Sequence, residues 1–370
     1  MTGAFVIIFA SFLFSLIAVA LILRLSHRNS WYDHVNERKI HTGDIPRLGG
    51  MGFASTFIIF ALVINFSAAE SGFGLRFLPC LGGMVLVLAT GVFDDFRPLA
   101  PRYKLVIQII AALCVIFSGY TFRRILHFGA GLPPGPGAVR YVLTFFWIVG
   151  LTNAVNFIDG VDGLAGGVSL LAVIGFALIF ASFAGVRFTM LVCFCLAAAL
   201  LGFLVFNAPF PRARIFMGDG GSQFLGFVLA LIPLAGKGDL TTELPALNAA
   251  ALLAIPIFDT VSAVWRRIRD GRRIDSPDKA HIHHKLMTLG LSVRGVDALL
   301  FGVQIVLVTL VYLSVRLRGP LSLVCLGLAY ASVTILFGVV HFVNRNLYRR
   351  GLAAAGAETS EDAAAGAAEG

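Results

Sequence analysis

The sequence predicts an all-α polytopic membrane protein, and three observations carry that prediction. Of its 370 residues 58% are hydrophobic and only 13% charged, against about 45–50% and about 25% in an ordinary soluble domain. The mean hydropathy is +0.88. The apolar residues also come in runs, and eleven of these approach the roughly 20 residues that a helix needs to cross a bilayer core.

In chain order the expected spans are 3–25, 50–69, 77–93, 103–120, 139–157, 163–184, 188–206, 221–236, 246–265, 297–316 and 321–343. The first has no basic residue ahead of it and gathers them behind it, which reads as a retained span rather than a cleaved signal. The third and eighth are the shortest. Together the spans form one multi-spanning domain over 1–350, with no room for a separate soluble unit. The tail, 351–370, is Ala, Gly and acid without an aromatic residue, a composition that predicts a disordered cytoplasmic segment. Cys80, Cys114, Cys193, Cys195 and Cys325 all fall in apolar runs without paired ligand spacing, and they read as core residues.

Charge orients the bundle. Sorted by alternating loops, 21 of the 29 Lys and Arg fall on one side and 8 on the other. Cytoplasmic loops carry the excess of such residues, so the N-terminus is expected outside and the C-terminus in the cytoplasm. Arg123, Arg124 and Arg140 form a local exception. The net charge of +9 is thus a topology signal, and no nucleic-acid partner is expected from it.

Four acidic stretches fall at the cytoplasmic ends of these runs: GVFDDFRPL (Asp94, Asp95), NAVNFIDGVDGL (Asp159, Asp162), FMGDGGSQ (Asp219) and IPIFDT (Asp259). DKAHIHHKL adds His281, His283 and His284 between Lys279 and Lys285. Each has a bland reading. Asp94 and Asp95 could end a helix, Asp219 could cap the next one, and Asp259 could pair with an Arg. Asp159 and Asp162, three apart, share a face if a helix has begun there. The histidines could bind zinc, but no Cys or fourth ligand lies nearby, and the lysines favour an anion. Charged groups at a membrane rim are costly, so several on one side point to a built cleft.

Carboxylates, cations and histidines together suit phosphate chemistry. Mg²⁺ takes a few carboxylates plus substrate phosphates, Lys and Arg neutralise phosphate charge, and phosphoryl transfer needs mainly positioning and neutralisation. A phosphate ester handled at the cytoplasmic rim is the expectation. A transporter would instead need ionisable groups near the midplane and paired repeats, and neither is visible.

DDFRPLAPRYK, NAVNFIDGVDGLAGG, FMGDGGS and HIHH, in this order between eleven spans, resemble the polyprenyl-phosphate N-acetylhexosamine-1-phosphate transferase family. RKIHTGDIPRLGG is similar to that family's first cytoplasmic loop. The resemblance implies transfer of a sugar 1-phosphate from a UDP-N-acetylhexosamine to undecaprenyl phosphate in a bacterial plasma (inner) membrane. UMP leaves, and the lipid-diphosphate sugar primes cell-envelope polysaccharide synthesis. A related branch takes UDP-MurNAc-pentapeptide and has three consecutive histidines. His281-Ile282-His283-His284 resembles the branch that takes UDP-GlcNAc, with a 6-deoxy or other UDP-HexNAc left open. DGVDGLAGG also resembles the start of the CDP-alcohol phosphotransferase motif, without its Ala-Arg pair and further acid.

By resemblance, Asp219 is the principal ligand of Mg²⁺, with Mn²⁺ as a substitute, and Asn156 gives a second oxygen. Asp159 orders the metal site. Asp162 lies near the uracil and Phe216 stacks on it, while Asn153 stands with the substrate-binding residues. Lys104, His281, His283 and His284 hold the diphosphate. Asp94 and Asp95 sit where the lipid phosphate arrives, helped by Lys39 and Arg47. Direct attack by the lipid phosphate is favoured, and a two-step route through a covalent Asp stays open. Family members are often dimeric, so a homodimer is expected by analogy.

Overall fold

The computed structural model describes residues 2–32, 45–67, 74–125, 137–183, 187–208, 212–235, 244–273, 281–317 and 319–368. Lys39 and Lys279 lie outside them. The helices are α1 (Thr2–Asn29), α2 (Gly49–Ser67), α3 (Phe77–Phe96), α4 (Pro101–Phe117), α5 (Gly137–Ile158), α6 (Leu164–Ala181) and α7 (Arg187–Asn207). They continue with α8 (Gly218–Leu231), α9 (Ala246–Leu252), α10 (Ala254–Arg269), α11 (Ile282–Thr288), α12 (Val293–Arg316) and α13 (Pro320–Ala368). The described residues contain no strand.

Among the described residues each expected span is mainly helix, but the segments are unequal. Eight helices among the described residues are long and apolar enough to cross a membrane: α1, α2, α3, α5, α6, α7, α12 and α13. Counting the α9–α10 pair as one span makes nine. The 17-residue α4 and the 14-residue α8 are shorter. Every residue of α8 except Asp219 is buried, so its length answers to neighbouring helices rather than to bilayer thickness. Phe5, Phe9, Ile305, Val306, Ile335 and Phe342 lie exposed on outer helices, as lipid-facing side chains do in a bilayer.

The expected straight span at 246–265 is instead bent by 88° between α9 and α10. Pro256 explains it. A proline ring clashes with the carbonyl four residues back and removes one helical hydrogen bond, and here that carbonyl belongs to Leu252. Gln304 Nε2, from α12, donates to the displaced Leu252 oxygen at 2.8 Å.

α8 packs against α2, α3 and α5, and glycines set how closely. A Cβ on Gly91 of α3 would stand 2.5 Å from Gly220 Cα, and one on Gly50 of α2 would run into Gly221. Small residues that let backbones touch are the usual means of tight association in apolar surroundings. The start of α8, which carries Asp219, is therefore wedged between α2 and α3. α13 runs on through the Ala-rich tail to Ala368, in keeping with the high helix propensity of Ala.

Candidate active site

The site is assembled around the first turn of α8. Two extended stretches meet just before it: Phe216 N donates to Pro46 O at 2.8 Å, and the amides of Gly49 and Gly50 donate to the carbonyls of Phe216 (3.0 Å) and Met217 (2.9 Å). Gly218 then takes φ +72°, a left-handed conformation that glycine adopts without strain. A Cβ there would collide with the Arg47 carbonyl and the Asp95 carboxylate. This packing brings the first loop, through Arg47, to the MGD motif.

Asp219 lies inside the first turn of α8 and does not cap it. The cap comes from another helix. Asp95 Oδ1 accepts the Asp219 amide at 2.8 Å, and Oδ2 accepts that of Gly220 at 3.0 Å. These amides would otherwise be among the four orphan donors of the helix start. The Asp95 side chain is 1% exposed, with Arg47 Nε 3.9 Å away. Asp95, expected with Asp94 where the lipid phosphate arrives, has both oxygens engaged in this cap.

Cations surround the Asp219 carboxylate. Lys104 Nζ bridges Asp219 Oδ2 at 2.8 Å and Asp94 Oδ2 at 3.0 Å, and Arg47 reaches Asp219 Oδ1 at 3.5 Å. Asp94 Oδ1 accepts the Leu99 amide at 2.6 Å, which fixes the bend between α3 and α4. Gln223, one turn along α8, donates to Asp219 Oδ2 at 3.2 Å and accepts from Gln108 at 3.0 Å. Gln108 Oε1 accepts from Asn153 at 2.7 Å. Asn153 thus joins a polar chain leading to Asp219. Asn156 donates to Ser222 Oγ at 2.8 Å, which turns its side-chain carbonyl oxygen away from Ser222. No described residue bonds that oxygen.

Asp159 and Asp162 do not share a helix face, because α5 ends at Ile158 and α6 begins at Leu164. Both lie in the turn between them. Asp159 is half-buried and accepts no hydrogen bond among the described residues. Burial raises its carboxyl to about 7, with Asp219 pushing the same way and Arg47 opposing. Asp162 Oδ2 accepts the Ala213 amide at 2.8 Å, so it anchors the stretch leading to Phe216. Phe216 itself is half-buried.

The histidine cluster meets this turn through Gly160. A Cβ at Gly160 would run into the ring of His283, so the NFIDG and HIHH motifs touch where only glycine leaves room. His283 is buried, its Nδ1 has no hydrogen-bond partner among the described residues, and burial, followed by the neighbouring His284, lowers its pKa to about 3. His284 lies 4.4 Å from it, ring centre to ring centre. His281 Nδ1 is 2.7 Å from Asp259 Oδ2, and Asp259 Oδ1 accepts the Ile282 amide at 2.7 Å. Asp259 therefore pairs with a histidine, not with the expected arginine.

Sequence reading gave no role to Gln108, Gln223 or Ser222. A signal was present for the glutamines: Lys104 with Gln108, and Asp219 with Gln223, are four apart and share a helix face. Nothing in the linear sequence pairs Asp259 with a histidine 22 residues on.

Fold and site define a helical membrane protein with a cation-lined carboxylate centre at one end of its bundle, suited to a phosphate-bearing substrate. Residues 77–237 match glycosyl transferase family 4. The chain is 34% identical over 286 residues to the probable undecaprenyl-phosphate N-acetylglucosaminyl 1-phosphate transferase of Bacillus subtilis (strain 168), covering 77% of each. It is 30% identical over 289 residues to the undecaprenyl-phosphate alpha-N-acetylglucosaminyl 1-phosphate transferase of Escherichia coli (strain K12), and 32% over 292 residues to that of Salmonella typhi, covering 76% of each chain. The chain therefore belongs to glycosyl transferase family 4, the polyprenyl-phosphate N-acetylhexosamine-1-phosphate transferases that its motifs resemble.

Proposed function

We propose that the protein transfers GlcNAc 1-phosphate from UDP-GlcNAc to undecaprenyl phosphate, releasing UMP. Family membership supports the reaction. The structural observation that carries it is the convergence of Asp94, Lys104, Arg47 and Asp219 on the first turn of α8. Lys104 and Arg47 supply the fixed positive charge that two phosphorylated substrates need to approach each other.

The acceptor is a phosphate monoester with a second pKa near 6, largely dianionic at neutral pH. One of its oxygens attacks the sugar-bearing β-phosphorus. The bond from that phosphorus to the bridging oxygen breaks, and UMP departs with the electron pair. Dianionic acceptor plus dianionic UDP-sugar give a dianionic lipid diphosphate plus dianionic UMP, so no proton has to move. This balance removes the need for a general base at Asp95 and agrees with its place in a cap.

Mg²⁺, or Mn²⁺ in its stead, fits this donor set. The described residues hold no cluster of three or more acidic, His or Cys side chains sufficient to bind an ion alone, which matches a cation that takes one or two carboxylates and completes its shell with phosphates. Asp219 and the unbonded carbonyl of Asn156 would hold it, with Asp159, a carboxylate without a hydrogen bond, beside them. When bound, the ion neutralises charge on the departing phosphate.

In the cell the bundle would sit in the bacterial plasma membrane with eleven crossings, the N-terminus outside and this site facing the cytosol. The lipid then enters sideways and the nucleotide from the water. Purified protein given Mg²⁺, undecaprenyl phosphate and a panel of UDP-sugars tests the proposal by UMP release. Release with UDP-GlcNAc, lost without metal or lipid, supports it. Release only with UDP-MurNAc-pentapeptide or a 6-deoxy UDP-HexNAc moves the donor, and release with none sinks it.

A further inference from the structure

Asp259 stands inside α10, 1% exposed, and a carboxylate so buried must recover its lost hydration through hydrogen bonds. Both of its oxygens do so, across 22 and 23 residues of chain. Oδ1 takes the Ile282 amide and Oδ2 faces His281 Nδ1, each at 2.7 Å. One oxygen would suffice to start α11, so the second bond serves the ring. A carboxylate against Nδ1 selects the form that carries a proton there, which makes Nε2 the working nitrogen. Nε2 has no hydrogen-bond partner among the described residues, and the side chain keeps 9% exposure. The ring lies against Phe157, 5.8 Å between centres, and parallel to His283 at 6.0 Å. These neighbours restrict its rotation and give Nε2 a fixed direction.

The other two histidines are placed differently. His283 has a buried Nδ1 without a hydrogen-bond partner among the described residues and packs its opposite edge on Gly160. His284 is half-buried beside it. Asp259 engages the ring of His281 and Gly160 packs on that of His283, so the three expected diphosphate ligands are not equivalent.

We propose that Asp259 is a positioning residue for the transfer: it accepts Nδ1–H of His281, so that the ring in its doubly protonated form donates Nε2–H to a phosphate oxygen of the nucleotide-sugar, while His283 acts as a packing ring against Gly160. This rests on the transferase reading above. The contact is non-covalent, and its yield is orientation and charge-assisted hydrogen bonding to the diphosphate. Orienting partners of this kind typically account for about 10–100-fold in activity.

The test is a double-mutant cycle on the purified full-length protein, with kcat/KM for UDP-GlcNAc, KM for undecaprenyl phosphate and Tm measured for each variant. Asp259→Asn keeps an oxygen for the Ile282 amide and removes the carboxylate from the ring. It should lower kcat/KM for the nucleotide-sugar roughly 10–100-fold and leave the lipid KM within about two-fold. In a His281→Ala background the same change should add nothing to the loss, since residues acting as a unit are non-additive. An equal loss in both backgrounds, or none in either, overturns the inference. Should Asp259→Asn not accumulate, ¹⁵N-imidazole spectra of the wild type, assigned by the signal missing in His281→Ala, carry the decision. A protonated Nδ1 supports the pairing and a bare Nδ1 overturns it. A wild type that releases no UMP from any UDP-sugar overturns the transferase reading, whereas an active wild type with an indifferent Asp259→Asn overturns only this inference.

Discussion

The carboxylate of Asp95 accepts the backbone amide of Asp219 at 2.8 Å, so an acid at the end of α3 fixes the start of the helix that presents the central acid of the site. Its second oxygen takes the Gly220 amide. Asparagine has one acceptor where aspartate has two, and its amide group would face an N–H. Asp95→Asn should therefore lower stability by about 1–2 kcal/mol, read as a fall in Tm in detergent. On the mechanism proposed above, in which no proton moves, it should reduce kcat without shifting the pH–rate profile. Full Tm with abolished turnover would return Asp95 to a chemical role.

Asp219 presents the opposite case. It is the one residue of α8 that is not buried, and its oxygens contact Lys104 and Arg47 rather than the backbone. Asp219→Asn should cost transfer roughly 10²–10³-fold while the protein still inserts and elutes as a folded species. Wild-type activity should vanish on chelation and return with Mg²⁺, and the variant should need far more metal for half its maximal rate. A variant with normal turnover at normal metal would refute the assignment.

These two neighbours show what was legible in the linear chain. Hydropathy marked the long helices, because burial in lipid leaves a long apolar run, and the acids and histidines stood out against it, whereas the seven-residue α11 left no such run. Partners across helices were not legible. Asp95 reaches the amide of a residue 124 positions away, and Asp259 one 23 away, and no periodicity encodes either pairing. The bend at Leu253 was encoded in Pro256 and masked by the apolar run around it. Asp159 and Asp162 would share a face only if a helix had begun before them, and α6 begins after both, at Leu164, since spacing alone does not fix where a helix starts.

The glycine contacts make a stability prediction that does not involve chemistry. Gly91→Ala and Gly50→Ala would each force α8 away from a neighbour, and overpacking of this kind costs about 1–3 kcal/mol. Gly82, on the same helix as Gly91, has nothing within 4 Å of an added Cβ. Gly82→Ala should leave Tm unchanged or slightly raised by alanine's better helix propensity. Equal Tm values for all three variants would show that α8 is not wedged as described.

His283 gives a pH dependence whose sign follows from its surroundings. Burial and the adjacent His284 hold its folded pKa near 3, below the value of about 6.5 in an unfolded chain. The neutral ring is favoured in the fold, so its contribution is present above about pH 6.5 and is lost as pH falls toward 3. One such group changes stability by up to about 1.4 kcal/mol per pH unit in that window. Asp159 acts in reverse: its folded pKa is raised to about 7, so its contribution is present below the ordinary carboxylate pKa and is lost as pH rises through 7. The two partly cancel in the wild type, and a raw Tm–pH curve cannot separate them. The difference between wild type and His283→Gln can, because glutamine does not titrate and Asp159 is common to both. Relative to His283→Gln, the wild type should lose Tm steadily from about pH 6.5 to 5. Parallel curves over that range would show that His283 is protonated in the folded protein, and the ring packed on Gly160 would then carry charge.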